Sequence, residues 1–339
     1  MPDRMTTEAQ PMPNLVPGLI VGVGPNQPFI GEEIFNPVPV DGQDFWYDTF
    51  DNFALTDEGQ TKRGLHANSK TLMPPSTSTV RGYAEEHSSK IPLDVNIIAA
   101  AEAADRNSSL RNGSMSRADR RRQAWMAKLV FNERIQREKE VATIVTDPSK
   151  YATGLKVTNL SYKTCTLKDL KDQIQALVAR SGYTADTWAM DYLARAALDQ
   201  NQNLLDLISG GATTTDPAIF KDEQLAALVG VKRLKVGNAF IQPKTVSGAI
   251  AASGTPIWAC QNGTGFGAFL VTGDAATADE TTMAFGKVFY PNVPSTGLRF
   301  GAWSWLDDEP NTLEWQKIAE YRLTAQTSQA GFLSENVTQ

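Results

Sequence analysis

The stretch Arg117–Thr146, RADRRRQAWMAKLVFNERIQREKEVATIVT, contains neither glycine nor proline and reads as one unbroken helix. At about 1.5 Å per residue it runs roughly 45 Å, longer than the core of an ordinary small domain. Ser116 precedes it with Asp119 three residues on, in the manner of a capping box, and Pro148 stands two residues beyond Thr146 and forbids continuation. Ala124, Phe131, Ile135, Ala142 and Val145 recur at helical steps and predict the packed stripe. Glu133 with Arg137, and Arg134 with Glu138, are then expected to pair along the outside. Such a segment is a spine against which other elements are placed.

Upstream, residues 1–43 hold Pro11, Pro13, Pro17, Pro25, Pro28, Pro37 and Pro39, a density that excludes regular helix and disfavours central strands. The same segment carries Leu15, Ile20, Ile30, Ile34, Phe35, Val38 and Val40. It reads as an extended arm with apolar surface, equally suited to strap its own domain or a neighbouring subunit. DFWYDTFDNFALT at 44–56 and TSTVRGYAEEHS at 77–88 predict the strands of a long hairpin. The polar, turn-rich segment 57–75 between them exceeds an ordinary chain reversal, which favours an interaction role. IPLDVNIIAAAEAA at 91–104 predicts a short helix ahead of the spine.

Downstream, Thr166 and Asp169 form a second capping-box start for a helix whose stripe is Leu167, Leu170, Ile174, Leu177 and Val178, ending at Gly182. TWAMD at 187–191 predicts a buried strand, followed by helical YLARAALDQ and NLLDLIS. Asp222 is expected to cap EQLAALVG before the strand VKRLKVG, and PIWAC at 256–260 and FGAFLV at 266–271 are further strand candidates. This alternation predicts a mixed α/β domain. In WQKIAEYRLTAQ at 315–326, Lys317, Ala319, Tyr321, Leu323 and Ala325 alternate with Ile318, Glu320, Arg322 and Thr324, predicting a late strand with mostly one face buried.

The chain has 339 residues, of which 41% are hydrophobic, enough for a substantial core. Its net charge of -6 argues against wrapping nucleic acid through a dominant basic surface. Cys165 and Cys260 are the only cysteines, so a disulfide framework is not expected and a reducing compartment is. No run of eighteen apolar residues occurs, and no basic start is followed by an apolar run, so we expect a soluble protein with no membrane role and no export signal. His66 and His87 are the only histidines, too few for a triad or a histidine-rich metal site. Gly263, Gly265 and Gly267 lack a following Gly-Lys-Ser/Thr and precede a strand, which makes them a turn. Asp307, Asp308 and Glu309 read as solvated turn charges, and Trp188, Trp258, Trp303, Trp305 and Trp315 as core. No catalytic, cofactor-binding or metal-ligating residue is assigned. Arg120, Arg121 and Arg122 oppose the helix dipole and call for a negative partner. A carboxylate on another element or subunit and simple solvation weigh equally, with nucleic-acid phosphate behind them.

PNQPFIGEEIFNPVPV at 25–40, TWAMDYLARAALDQNQNLLDLI at 187–208, EQLAALVGVKRLKVGNA at 223–239 and IAEYRLTAQTSQAGFLSENV at 318–337 occur in an order, with hairpin and spine between, that resembles the major capsid proteins of tailed double-stranded DNA bacteriophages, the Hong Kong 97-type fold also used by encapsulin shells. That resemblance implies an α+β fold with an N-terminal arm (1–43), an extended β-hairpin loop (44–92), a peripheral domain (93–165 and 281–339) holding the spine, and a mixed α/β axial domain (166–280). It implies a structural protein that assembles as pentamers and hexamers into an icosahedral head in the host cytoplasm, enclosing double-stranded DNA without reading its sequence. Scaffolding, portal and decoration proteins are further partners it admits. Phe29, Ile30, Phe35, Lys62, Arg63, Lys70, Arg120, Arg121 and Arg122 become candidate intersubunit contacts. An encapsulin-like compartment is the alternative within the fold, and an α/β enzyme using the glycine-rich region the alternative outside it.

Overall fold

The computed structural model describes residues 10–11, 29–52, 76–106, 117–208, 221–241, 254–259, 264–273, 283–291, 300–307 and 313–338. In chain order, β1 (Gln10–Pro11), the single helical turn α1 (Gly31–Ile34) and β2 (Asn36–Val40) precede the hairpin strands β3 (Asp44–Asn52) and β4 (Ser76–Tyr83). β5 (Glu85–Asp94), α2 (Val95–Arg106) and the spine α3 (Arg117–Thr146) follow. Next come β6 (Lys156–Thr158), α4 (Leu167–Ser181), β7 (Thr187–Asp191), α5 (Tyr192–Asp199), α6 (Gln202–Ile208), α7 (Asp222–Val229) and β8 (Arg233–Gly237). Last are β9 (Phe240–Ile241), β10 (Thr255–Pro256), β11 (Phe266–Leu270), β12 (Gly286–Pro291), β13 (Phe300–Asp307), β14 (Leu313–Gln326) and β15 (Gly331–Glu335).

One sheet has the order β1-β13-β14-β12-β2, with β5 also on β14. β14 is its axis, antiparallel to β13 over Leu313–Glu320, to β5 over Leu313–Arg322 and to β12 over Leu323–Gln326. β2 adds in parallel at the β12 edge, the kind of position where a sheet tolerates Pro37 and Pro39. The arm is therefore not devoid of regular structure: it holds this strand and, against expectation, a helical turn at Gly31–Ile34. The second sheet has the order β6-β15-β11-β7-β8. β7 and β11 are buried along their whole lengths and run antiparallel, while β8 lies parallel to β7, a pairing that requires the intervening helices as a crossover. Among the described residues β3 and β4 pair only with each other.

Local signals and structure agree at α4, where the Thr166–Asp169 capping box is formed and Gly182 ends the helix at φ 75°. Other expectations are corrected. Residues 85–88, expected in the hairpin, and 91–94, expected in a helix, together form β5 on β14, because the chain changes sheets at the buried Ala84. Of the described residues of PIWAC only Pro256 is in a strand, and Trp258 is instead drawn fully into the core. Asp222 is the first residue of α7 rather than its cap, and its carboxylate accepts from Arg195 Nε at 2.9 Å. β15 lies in the second sheet between β11 and β6.

The spine packs in two registers. Met126, Ala127, Leu129 and Val130 lie against Ala302 and Ile318 of the first sheet, whereas Val141, Ala142 and Val145 enter the main core. Ala124 is exposed and Phe131 and Ile135 only half-buried, so the apolar stripe read from periodicity is displaced around the helix. The reason is that Glu133, Arg137 and Glu138 are buried on the packed face. The main core lies around the second sheet, where Trp188 stacks on Phe269 at 5.0 Å and Tyr162 meets Trp188 edge-on at 5.9 Å. Gly267 is obligatory there, since a Cβ would stand 2.0 Å from the Tyr162 hydroxyl. Trp188 and Trp258 are fully buried as core residues, while Trp303, Trp305 and Trp315 are half-buried.

Asp191 ends β7 and caps α5, accepting from Ala194 N at 2.9 Å and Phe266 N at 3.2 Å. Burial pushes its carboxyl up to about 6 against the opposing pull of those N–H groups. A folded value above the ordinary 3.8 means the native state holds the proton more tightly, so this contribution to stability is full below about pH 4 and is lost as pH rises through about 6. Asp191→Asn retains an acceptor for both N–H groups and removes the charge. Denaturant titrations should show the variant gaining on the parent by up to about 3 kcal/mol between pH 4 and pH 8; a difference that stays constant across that range contradicts this role.

Candidate functional site

Arm, spine and first sheet meet at a buried charged crossing. The N–H groups that open a helical turn have no partner within it, and for α1 the spine supplies one. Glu138 accepts from Ile30 N at 2.9 Å through Oε1 and from Gly31 N at 2.8 Å through Oε2, and Trp258 Nε1 donates to Oε1 at 2.5 Å. A side chain at position 31 would put Cβ 2.6 Å from that carboxylate, so glycine permits the approach. Burial raises the Glu138 pKa, and the donors from Trp258, Ile30 and Gly31 restrain the rise.

At the preceding residue of the spine, Arg137 pairs with Glu32 of the arm and lies 3.4 Å from Glu320 of β14. Burial alone would lower the Arg137 pKa, but the carboxylates of Glu320 and Glu32 outweigh it and hold the guanidinium charged. Arg322, also on β14 and only 2% exposed, donates to Glu320 at 3.1 Å and to Glu140 at 3.0 Å, with Glu133 at 4.0 Å. Glu133 also accepts from Ser89 Oγ. The expected outward pairs are thereby replaced: Glu133, Arg137 and Glu138 turn inward, and Arg134 stands over the Phe29 ring at 5.3 Å. The buried face of β14 is its more polar one, carrying Glu314, Gln316, Ile318, Glu320 and Arg322.

Ile30 and Phe35, expected to touch a neighbouring subunit, are buried in the main core of their own chain. Phe29 is half-buried against Phe131 at 5.6 Å. Arg122 meets the carboxylate expected for the basic run, Glu314 on β14, through contacts of 3.0 and 3.1 Å, with Asp119 at 3.4 Å and Glu102 at 3.8 Å. Arg121 Nη1 donates to Ile97 O at 3.3 Å, and Arg120 is exposed. Lys62, Arg63, Lys70, His66, Cys260, Gly263, Asp308, Glu309 and Ser116 lie outside the described residues. Sequence reasoning missed the roles of Glu138, Glu320 and Arg322. It also missed the outer face of the hairpin, where Trp46 and Tyr83 are 61% and 60% exposed beside the Asp44–Arg81 ion pair. The inner face packs Phe45 and Tyr47 on Phe289.

Among the described residues no cluster of three or more histidine, cysteine, aspartate or glutamate side chains could hold a metal. No described helix is long and apolar enough to cross a membrane. Burial pushes the Cys165 thiol up to about 12, which leaves it protonated and unreactive at neutral pH. Gly265, at φ 73°, turns the chain into β11 and not into a helix, so among the described residues no helix N-terminus follows the glycines.

No protein-family model matches the chain, and no curated protein matches it. Solved structures do. A phage-related protein from Bordetella bronchiseptica RB50 superposes with a TM-score of 0.65 over 98% of this chain and 99% of its own, at 15% identity. The capsid of a native GTA particle matches at 0.51 over 92% of each chain with 12% identity. The SrpI encapsulin of Synechococcus elongatus PCC 7942 matches at 0.50 over 93% and 90% with 13% identity. These likenesses show the fold alone: a mixed α/β fold shared with the phage-related, capsid and encapsulin structures.

The buried charges make a direct test. Arg322→Met leaves Glu320 and Glu133 without their shared cation and should cost about 3–5 kcal/mol in urea unfolding at pH 7. Adding Glu133→Gln should recover part of that loss by removing a buried carboxylate whose cation is gone. A loss under about 1 kcal/mol for the single variant, or no recovery in the double, contradicts the network.

Proposed function

We propose that this chain is the major capsid protein of a tailed-phage-type particle, a Hong Kong 97-type subunit that assembles as pentamers and hexamers into an icosahedral shell around double-stranded DNA. The observation that carries the reading is end-to-end agreement of fold: the phage-related protein is matched over 98% of this chain and the GTA capsid over 92%. Agreement over nearly the whole chain is more than a shared domain supplies.

The physical layout supports it. A shell subunit must bury much of its surface against copies of itself, and the hairpin exposes Trp46 and Tyr83 on the face turned away from its own chain. On this reading residues 1–43 are the arm, 44–92 the extended loop, 93–165 with most of 281–339 the peripheral domain, and 166–280 with β15 the axial domain. The subunit is structural and not an enzyme, and works in the virion after assembly in a host cytoplasm. A second reading, an encapsulin-like compartment, draws on the match to the encapsulin subunit; such a shell would hold protein cargo in place of DNA.

Electron microscopy of the full chain expressed alone, with light scattering on the same sample, tests the proposal. Closed shells of uniform size, or five- and six-fold rings, are expected. A monodisperse monomer that persists when scaffold and portal proteins are supplied overturns it. Shells isolated from their natural source should contain double-stranded DNA; enzyme cargo in its place supports the second reading.

A further inference from the structure

The first half of the spine carries a row of cations that the fold leaves facing solvent. Of the three adjacent arginines, Arg122 is drawn inward by Glu314, Glu102 and Asp119. Those carboxylates are thus gathered on the one arginine that points toward the sheet. Arg120, Arg121 and Lys128 are exposed, and among the described residues no ion pair engages them. Trp125 lies between them at 36% exposure, with Lys128 Nζ 5.2 Å from its ring centroid. Arg121, Trp125, Lys128 and Asn132 follow one another at helical steps of four, three and four along a single face, and all are exposed. On the adjoining α2, Asn96, Ile97, Ala99 and Ala100 are exposed, and its carboxylate Glu102 is turned to Arg122. A chain of net charge -6 therefore carries a straight positive strip on its longest helix.

We propose that this strip, Arg120, Arg121, Trp125 and Lys128, is a docking face for the phosphate backbone of duplex DNA. The inference rests on the shell reading, which places DNA beside the subunit. Charge complementarity favours a polyanion: Lys128 lies seven helical steps beyond Arg121, about 10 Å along the axis, so the cations can meet phosphates of one strand in succession. Contacts of this kind carry no sequence information and dissolve with salt. They hold the duplex loosely, as suits a polymer that must move past the wall during packing and release. Lys128 is fixed in place by the Trp125 ring beneath it, and Trp125 adds a flat apolar contact for a sugar edge.

The test uses the full chain, a fluorescein-labelled 30-base-pair duplex of arbitrary sequence, and fluorescence anisotropy between low and physiological salt. Unassembled subunits and capsomers should bind weakly, with log K falling as log salt rises. The triple variant Arg120→Gln, Arg121→Gln, Lys128→Gln should bind at least tenfold more weakly at low salt, with its salt slope reduced by about one unit per cation removed. Because these side chains are exposed, the variant should unfold as the parent does. Equal binding by parent and variant, or no binding by the parent, overturns the inference. So does a variant that loses assembly while the parent shows no affinity for the duplex, because the strip is then an interface between copies of the chain. Electron microscopy of the same preparations separates the two claims: shells from the parent keep the capsid reading whatever the duplex does, and a parent that stays monomeric even with scaffold and portal proteins supplied sinks that reading by itself.

Discussion

The carboxylate of Glu138 is the point on which three separate parts of the chain depend. It takes the two N–H groups that open α1 and the indole N–H of Trp258, so arm, spine and the segment after β10 share one acceptor. Removing a carboxylate from water costs several kcal/mol, and hydrogen bonds to a charged group return roughly 1.5–3 kcal/mol each. Three such bonds offset the burial only while all three donors are in place. The site therefore favours one arrangement of arm on spine over near alternatives, and the raised pKa of Glu138 is the residue of that balance.

From this anchor the neighbouring geometry follows. With Ile30 and Gly31 fixed, Ile34 and Phe35 drop into the core, and Phe35 packs edge-on to Phe285 at 6.1 Å. β2 is then delivered to the β12 edge in parallel register. On the other side, the polar face of β14 can be buried because the spine carries matching charges at Glu133, Arg137 and Glu140. An all-apolar interface would slide more freely along a 30-residue helix; paired charges set its register against the strand. While residues 29–40 are fastened to their own spine and sheet, the hairpin keeps Trp46 and Tyr83 exposed.

Much of this was legible in the residues, and the failures share a cause. The bounds of the spine, the capping box at Thr166, the buried TWAMD and FGAFL strands and the αL glycine at 182 rest on local signals, and local signals survive folding. The charged face of the spine was misread because periodicity assigns glutamate and arginine to water unless a partner is known. Here the partners are remote: Arg322 and Glu140 are 182 residues apart and Glu138 and Ile30 are 108 apart. The arm showed its apolar residues but not their destination, since Ile30 and Phe35 would read alike in their own core or a neighbour's. Trp46 was the reverse case, a large aromatic ring that composition would bury and the hairpin exposes. In the basic run, only the positions of Glu314, Glu102 and Asp119 separate the inward Arg122 from its two exposed neighbours.

The account stands most directly on the claim that one carboxylate fastens the arm to its own spine. Amide hydrogen exchange on the parent chain and on Glu138→Ala, read by peptide, tests it. Peptides covering residues 29–40 should lose protection in the variant while those covering β7 and β11 keep theirs, since the second sheet does not need the arm to hold its ladder. Parent-like protection over 29–40 in the variant would show that the arm is held by something other than Glu138 and would contradict the account.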